Sequence, residues 1–302
     1  MREPVTVGEA LARARAALAA AGVGDAGREA AWLLGHVLGC SAGALLARRD
    51  EPLTPEAREA YEALVARRSA REPLQYILGT AEFLGLTFRV TPAVLIPRLD
   101  TAVLVEEAVA RLRDGRARRA AAGGPATPAG ELRVADIGTG SGAIAVAVAH
   151  LLPEAQVVAV DVSAAALAVA EENARRNGVA GRVRFRLGDL AAPLAEEGGR
   201  FAAILSNPPY IPEGDIPGLM PEVRDWEPRL ALAGGQDGLA FFRRLAREAA
   251  PLLLPGGFLG VEVGIGQAPA VAALFREAGL VDVAVYRDTA GVERAVFGSA
   301  AP

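Results

Sequence analysis

The stretch of sequence that decides the fold is Val134-Ala135-Asp136-Ile137-Gly138-Thr139-Gly140-Ser141-Gly142. The apolar run from Leu132 to Asp136 predicts a buried strand, and the glycines predict a tight turn in which the backbone takes up conformations that other residues avoid. A helix is expected to begin at Ala143, directly after this turn. A strand, a glycine-rich turn and a helix in this order are typical of an α/β domain with a parallel sheet.

Strands and helices continue to alternate towards the C-terminus. A helix is predicted over 164–177, and further strands are predicted over 156–161, 183–187, 202–206, 257–263, 281–286 and 293–298. This alternation indicates a parallel sheet covered by helices on both faces. Because no helix separates the last two strands, they are expected to close the sheet as an antiparallel pair. The predicted fold class is therefore α/β, with a Rossmann-like domain over 98–302.

The first third of the chain has a different pattern. Helical apolar spacing recurs through residues 1–72, and Thr54-Pro55 is typical of a helix start, with an N-cap residue followed by proline. We interpret 1–72 as a small N-terminal helical domain that recognises the substrate. Residues 73–97 form a predicted linker containing a β-hairpin over 82–90, with Gly85 near its turn. A helix over 101–112 precedes a low-complexity stretch, 114–130, which predicts a flexible surface loop.

Composition excludes several classes of protein. The chain has 302 residues, of which 52% are hydrophobic, and a single cysteine, Cys40, so no internal disulfide can form. No run of about 18 apolar residues indicates a membrane span, and no secretory signal is evident at Met1, so a cytoplasmic location is expected. One cysteine and two histidines predict no metal site. The net charge of −4 argues against a nucleic acid as the direct partner.

Three acidic residues lie at the predicted carboxyl ends of strands, where open α/β sheets bind ligands. Asp136 precedes the glycines, where it can support the loop and a ligand ammonium group; Asp161 can accept from two ribose hydroxyls; and Asp189 is placed for an adenine amino group. Together they favour S-adenosylmethionine as the cofactor. The predicted cofactor site is completed by residues of the loop and of two later turns, namely Gly138, Thr139, Gly140, Ser141, Gly142, Leu190 and Asn207.

The motif Asn207-Pro208-Pro209-Tyr210 follows the fourth predicted strand of the sheet. Two prolines cannot continue a strand ladder, and their fixed φ angles hold the carbonyl groups in one direction. The Asn207 side-chain oxygen and the Pro208 carbonyl can accept the two N–H bonds of a planar –NH2 group, which aims its nitrogen at an activated methyl group. Tyr210 can stack on the same group. These four residues are the predicted catalytic and substrate-binding residues of a methyltransferase.

The chain resembles the HemK/PrmC family, which methylates the glutamine of the Gly-Gly-Gln motif in peptide chain release factors. The resemblance covers nearly the whole chain and departs from the family pattern at Leu99 and Ala102. It implies a release factor as protein partner and adds Arg98 to the substrate site. Besides the two motifs above, it rests on Pro73-Leu74-Gln75-Tyr76-Ile77-Leu78-Gly79, Glu82-Phe83, Leu95-Ile96-Pro97-Arg98, Asp100-Thr101, Glu227-Pro228, Gly256-Gly257-Phe258 and Arg287-Asp288.

Other functions stay open on the residues alone. A methyltransferase acting on a ribosomal protein glutamine would share every catalytic residue. A DNA adenine methyltransferase shares the Asn207–Tyr210 motif, but it would need a base-flipping target domain and a basic groove. A non-catalytic binding protein would not need an intact Asn207. The pattern Gly138-x-Gly140-x-x-Ala143 could also bind the dinucleotide of an NAD enzyme, but such an enzyme would not need Asn207-Pro208-Pro209-Tyr210.

Overall fold

The residues of the chain separate into two compact units. The computed structural model describes residues 5–121 and 132–302, without the side chains of 116–121. One unit contains Met1–Gly79 together with Met220–Trp226, and the other contains Thr80–Leu219 together with Glu227–Pro302. The first unit therefore runs seven residues past the predicted limit at 72, and it includes a later segment of the chain.

The first unit is a bundle of helices with a leucine-rich core. Thr54 caps one helix by accepting from the Ala57 N–H at 3.2 Å, and Pro55 follows it, which confirms the predicted helix start. Leu18, Leu33 and Leu34 are fully buried. The helices are α1 (Val7–Ala20), α2 (Ala26–Leu38), α3 (Ala44–Ala47), α4 (Pro55–Ser69), α5 (Leu74–Leu78) and, from the later segment, α10 (Pro221–Arg224).

The segment 220–226 is held in this unit by ion pairs. Glu222 contacts Arg68 at 3.0 Å and Arg71 at 2.7 Å, and Arg68 also pairs with Glu29 at 2.5 Å. These arginines hold the pKa of the Glu222 carboxyl below its usual value despite burial. Removing one member of such a buried network leaves an unpaired charge, which costs about 3–5 kcal/mol. The network therefore ties the later segment to the end of α4.

A seven-stranded sheet forms the centre of the second unit. The strands are β3 (Leu132–Ile137), β4 (Ala155–Asp161), β5 (Val183–Leu187), β6 (Phe201–Ser206), β7 (Leu253–Glu262), β8 (Val281–Arg287) and β9 (Glu293–Ser299). Their order in the sheet is β5-β4-β3-β6-β7-β9-β8. β9 is antiparallel to β7 and β8, whereas the other pairs are parallel. The predicted antiparallel pair is thus confirmed, with β9 inserted between β7 and β8.

Alternate residues of the central strands feed two separate hydrophobic cores. In β3, Val134 belongs to one core and Ala135 to the other, and in β6 the same holds for Ala203 and Ile204. Because successive strand side chains point to opposite faces, this alternation means that both faces of the sheet are covered. The flanking helices are α6 (Thr101–Ala121), α7 (Ala143–Leu151), α8 (Ala164–Arg176), α9 (Ala192–Glu197), α11 (Ala240–Ala249) and α12 (Ala268–Glu277). The predicted α/β fold class is confirmed.

Helix α6 is longer than predicted. It was expected to end at Leu112, with a loop over 114–130, but it continues to Ala121. The residues after Gly115 are alanines and arginines, which are strong helix formers, and a single internal glycine costs a helix only about 1 kcal/mol. The prediction of a loop is therefore wrong for 114–121. The rest of that stretch, 122–130, lies outside the described residues.

The predicted hairpin is confirmed as β1 (Thr80–Phe83) paired antiparallel with β2 (Leu86–Arg89). Asn173 of α8 holds it in place. Its Oδ1 accepts from the Arg89 N–H at 2.6 Å, and its Nδ2 donates to the carbonyls of Arg89 and Ser141, both at 2.9 Å. Asn173 is fully buried. One side chain therefore connects the hairpin with the glycine-rich loop that follows β3.

Within the described residues, no helix is both long enough and apolar enough to span a bilayer.

We predict that Asn173→Ala lowers the free energy of unfolding by about 2–4 kcal/mol, because each buried backbone group that loses its partner costs about 1–3 kcal/mol. Urea unfolding followed by circular dichroism measures the change. Arg176→Ala, at an exposed position of the same helix, serves as the control and is expected to stay within about 0.5 kcal/mol of the parent protein. Equal stabilities for Asn173→Ala and the parent protein would show that these hydrogen bonds do not support the fold.

Candidate active site

The glycine-rich loop lies between β3 and α7, at the carboxyl end of the sheet. Gly138 and Gly140 have φ angles of +73° and +56°, a region that favours glycine. At Gly142, with φ of +82°, an added Cβ would lie 3.1 Å from the Cβ of Ala170. Gly138, Thr139, Gly140 and Ser141 line a cleft, whereas Gly142 packs against α8 behind it.

Asp136 lies beneath the loop and not on the cleft wall. Its Oδ2 accepts from the Thr139 hydroxyl at 2.6 Å and from the Ala145 N–H at 3.0 Å. Burial raises the pKa of this carboxyl to about 7. Its Oδ1 is buried and has no hydrogen-bond partner among the described residues. Asp136 thus supports the loop, and its contact with a ligand ammonium group stays a prediction.

Asp161 ends β4 and faces the cleft. Its Oδ2 accepts from the Gly140 N–H at 2.9 Å, and its Oδ1 accepts from the Ser163 N–H at 2.8 Å. Each carboxylate oxygen keeps a further lone pair for a ligand. Asp161 is therefore held rigidly, with two acceptor sites available to a pair of neighbouring hydroxyl groups.

Asp189 and Leu190 also line the cleft, at the end of β5. The Asp189 side chain is 59% exposed and pairs with Arg244 at 2.8 Å. This pairing raises the pKa of the Arg244 guanidinium. An adenine amino group that used Asp189 as its acceptor would share the carboxylate with Arg244.

The ends of β3 and β6 lie side by side in the sheet. Ile137 is opposite Ser206, and the Ser206 hydroxyl donates to the Ile137 carbonyl at 2.7 Å. The chain continues from Ile137 into the glycine-rich loop and from Ser206 into Asn207. The pairing therefore brings the two predicted constellations together at one cleft.

Within the second motif, Asn207, Pro208 and Pro209 line the cleft. The Asn207 Nδ2 donates to the Thr101 hydroxyl at 3.3 Å. Tyr210 differs from expectation, because it is not part of the cleft wall and its hydroxyl donates to Glu262 at 3.3 Å. Burial raises the pKa of Tyr210. Tyr210 is thus held by a buried carboxyl, and its stacking on a substrate amide stays a prediction.

Two polar residues of this site were not identified from the sequence. Thr101, at the start of α6, lines the cleft, and its hydroxyl donates to the buried Glu262 at 2.5 Å. Burial raises the pKa of Glu262 to about 7, although the hydrogen bonds from Thr101 and Tyr210 act to lower this pKa. Thr101 belongs to the Asp100-Thr101 motif quoted above, whereas Glu262 lies in an apolar strand and carried no signal of its own.

Arg98 lines the same cleft, as expected for the substrate site. Its guanidinium donates to Glu227 at 2.6 Å, and the Glu227 side chain is only 1% exposed. Burial raises the pKa of Glu227, although the nearby positive charge of Arg98 acts to lower this pKa. Glu227 therefore fixes Arg98 at the cleft from behind.

The cleft fits S-adenosylmethionine. Asp161 offers acceptors for ribose hydroxyls, and the glycine backbone permits close approach of a ligand. An apolar ring such as adenine matches the side chains on the remaining wall, which include Ile144, Val160, Val162, Ala166 and Phe241. In the described part of the chain, no group of three or more His, Cys, Asp or Glu residues is placed to hold a metal ion.

Two family models match this chain. The family described as PrmC N-terminal domain matches residues 9–79, and the family described as methyltransferase small domain matches residues 126–217. A methyltransferase structure from Pyrococcus furiosus has a TM-score of 0.50 at 20% identity, over 72% of this chain and 91% of that one, which supports the fold alone.

Two sequence relatives carry the name release factor glutamine methyltransferase. The protein from Geobacter sulfurreducens is 49% identical over 97% of this chain and 96% of its own length. The protein from Moorella thermoacetica is 46% identical over 96% of this chain and 97% of its own length. The predicted resemblance is thereby confirmed: the chain belongs to the release factor glutamine methyltransferase family, whose members are S-adenosylmethionine-dependent enzymes.

Proposed function

We propose that this protein transfers the methyl group of S-adenosylmethionine to the side-chain nitrogen of the glutamine in the Gly-Gly-Gln motif of a peptide chain release factor. The observation that carries the proposal is the adjacency of Asn207 and the glycine-rich loop at the ends of two paired strands. The adjacency supports the proposal, because the proposed acceptors for an –NH2 group and the proposed site for the methyl donor then belong to one cleft. The names and identity of the relatives support glutamine as the methylated residue.

The chemistry requires orientation more than acid–base catalysis. An amide nitrogen is a poor nucleophile because its lone pair is delocalised, whereas the sulfonium methyl of bound S-adenosylmethionine is a good electrophile. Asn207 Oδ1 and the Pro208 carbonyl accept the two N–H bonds and stabilise the positive charge that develops on nitrogen. Tyr210 and Arg98 complete the proposed substrate site. Transfer would break the S–CH3 bond as the N–CH3 bond forms, leave the cofactor as its neutral thioether, and release one proton of the methylated nitrogen to solvent.

For the cofactor we propose that Asp161 binds the ribose hydroxyls and that Asp189 and Leu190 border the adenine. The glycine-rich loop, with Thr139 and Ser141, approaches the rest of the ligand. Asp136 acts through the loop that it supports, since its hydrogen bonds go to Thr139 and Ala145.

Among the described residues, those that line the cleft belong to the second unit. We propose that the N-terminal helical unit recognises the protein partner. A glutamine flanked by glycines can enter a narrow cleft because glycine carries no side chain to clash. The net charge of −4 suits a protein partner better than a polyanion.

Incubation with S-adenosylmethionine and a panel of acceptors tests the proposed substrate. We expect mass spectrometry to find one added methyl on the Gly-Gly-Gln glutamine of an intact release factor, and much slower methylation of a short peptide that carries the same motif, because the peptide lacks the surface for the N-terminal unit. Ribosomal proteins and DNA serve as the alternative acceptors. Methylation of one of these while the release factor stays unmodified would refute the proposal, and equal rates on peptide and intact factor would refute the recognition role.

Asp161→Ala is expected to weaken S-adenosylmethionine binding by about 5- to 150-fold, since the loss of charge-assisted hydrogen bonds costs ~1–3 kcal/mol. Isothermal titration calorimetry measures the affinity. Glu171→Ala removes an acid that is 49% exposed on α8 and is expected to bind the cofactor normally. If Asp161→Ala binds as tightly as the parent protein, Asp161 does not hold the ribose.

Asn207→Ala is expected to keep cofactor affinity but to lower kcat by about 100-fold or more, as for the loss of a group that stabilises developing charge. Calorimetry and a single-turnover methylation assay separate the two effects. Turnover at the parental rate would exclude Asn207 as the orienting group.

A further inference from the structure

Glu262 is a buried carboxyl that the proposed transfer does not yet use. It ends β7, next to β6 in the sheet, and is 2% exposed. One of its oxygens accepts from the Thr101 hydroxyl at 2.5 Å, and the other accepts from the Tyr210 hydroxyl at 3.3 Å. The carboxylate therefore contacts the last residue of the Asn207–Tyr210 motif directly and reaches the first residue through Thr101.

The Thr101 hydroxyl has only one proton to donate. When Glu262 is ionised, above the pKa of about 7 that burial gives it, that proton belongs to the hydrogen bond with Glu262 Oε2 at 2.5 Å, because charge-assisted hydrogen bonds are the stronger ones. The Thr101 oxygen consequently presents lone pairs to Asn207. Only the Nδ2 end of the Asn207 amide can donate to a lone pair, and it lies 3.3 Å away.

This hydrogen-bond direction decides which end of the Asn207 amide is available to a substrate. With Nδ2 held by Thr101, Oδ1 is the end left for an N–H of the substrate. In the flipped orientation two –NH2 groups would face one another, and neither can accept a hydrogen bond from the other.

We propose that Thr101 and Glu262 are positioning residues that fix the amide orientation of Asn207, so that Oδ1 accepts from the substrate nitrogen, while Glu262 also fixes Tyr210. This inference rests on the proposed role of Asn207. The carboxylate polarises the Thr101 hydroxyl and takes no part in bond making. A single buried group thereby aligns both ends of the substrate-binding motif.

Thr101→Val tests the hydroxyl, because valine has nearly the same shape without a donor or acceptor. We expect kcat on an intact release factor to fall by about 10–100-fold, as for a misaligned reacting group, with cofactor affinity and substrate KM within about twofold of the parent protein. Thr101→Ser restores the hydroxyl and is expected to recover kcat to within about threefold. Parental kcat in Thr101→Val, or an equal loss in Thr101→Ser, would overturn the proposal.

A double variant distinguishes positioning from a general loss of structure. Because Thr101 acts through Asn207, combining Thr101→Val with Asn207→Ala is expected to lower kcat no further than Asn207→Ala alone, whereas independent effects would multiply. If Asn207→Ala itself keeps the parental rate, the proposed role of Asn207 fails. If Asn207→Ala loses the rate and Thr101→Val does not, only the positioning role fails.

Glu262→Met covers the case in which Thr101→Val does not fold. Methionine keeps a similar volume and removes the buried carboxyl, which leaves the Thr101 proton free to turn towards Asn207. The expected result is a loss of kcat similar to that of Thr101→Val and again no further loss on top of Asn207→Ala. A folded Glu262→Met variant with parental kcat would overturn the proposal.

Discussion

The buried hydrogen bond from the Ser206 hydroxyl to the Ile137 carbonyl, 2.7 Å long, joins the ends of the two central strands. The glycine-rich loop leaves β3 after Ile137, and the substrate motif leaves β6 after Ser206. Because the register of a parallel pair is fixed along its length, the position of one loop sets the position of the other. A slip of one residue would move every side chain of β6 to the opposite face and shift the Asn207–Tyr210 motif relative to the glycine-rich loop.

The features predicted from sequence are those that depend on neighbouring residues. The strand–turn–helix around Gly138, the hairpin near Gly85 and the cap at Thr54 each follow from local patterns. One feature that depends on distant residues was missed. The insertion of β9 between β7 and β8 is a matter of topology.

The same distinction holds within the site. Asp161 was identified because strand ends collect at one edge of a sheet, and the cleft contains it. Glu262 was not identified, because its partner Thr101 lies 161 residues away and a lone acid at the end of an apolar strand has no periodic signal.

The length of α6 past Leu112 was missed for another reason, since glycine at 115 and a biased composition suggested a loop where helix propensity prevails. The roles of the site residues remain predictions.

The inclusion of residues 220–226 in the N-terminal unit has a consequence for the order in which the protein folds during synthesis. Arg71 leaves the ribosome 151 residues before its partner Glu222. At ~5–20 residues per second, this interval is on the order of 10 seconds. N-terminal domains of nascent chains usually fold first. Here the N-terminal unit lacks its segment 220–226 until β3, β4, β5 and β6 have all been synthesised. The ion pairs of Glu222 with Arg68 and Arg71 can therefore form only after these four strands have been synthesised. The N-terminal unit thus becomes complete later than the synthesis of four strands of the other unit.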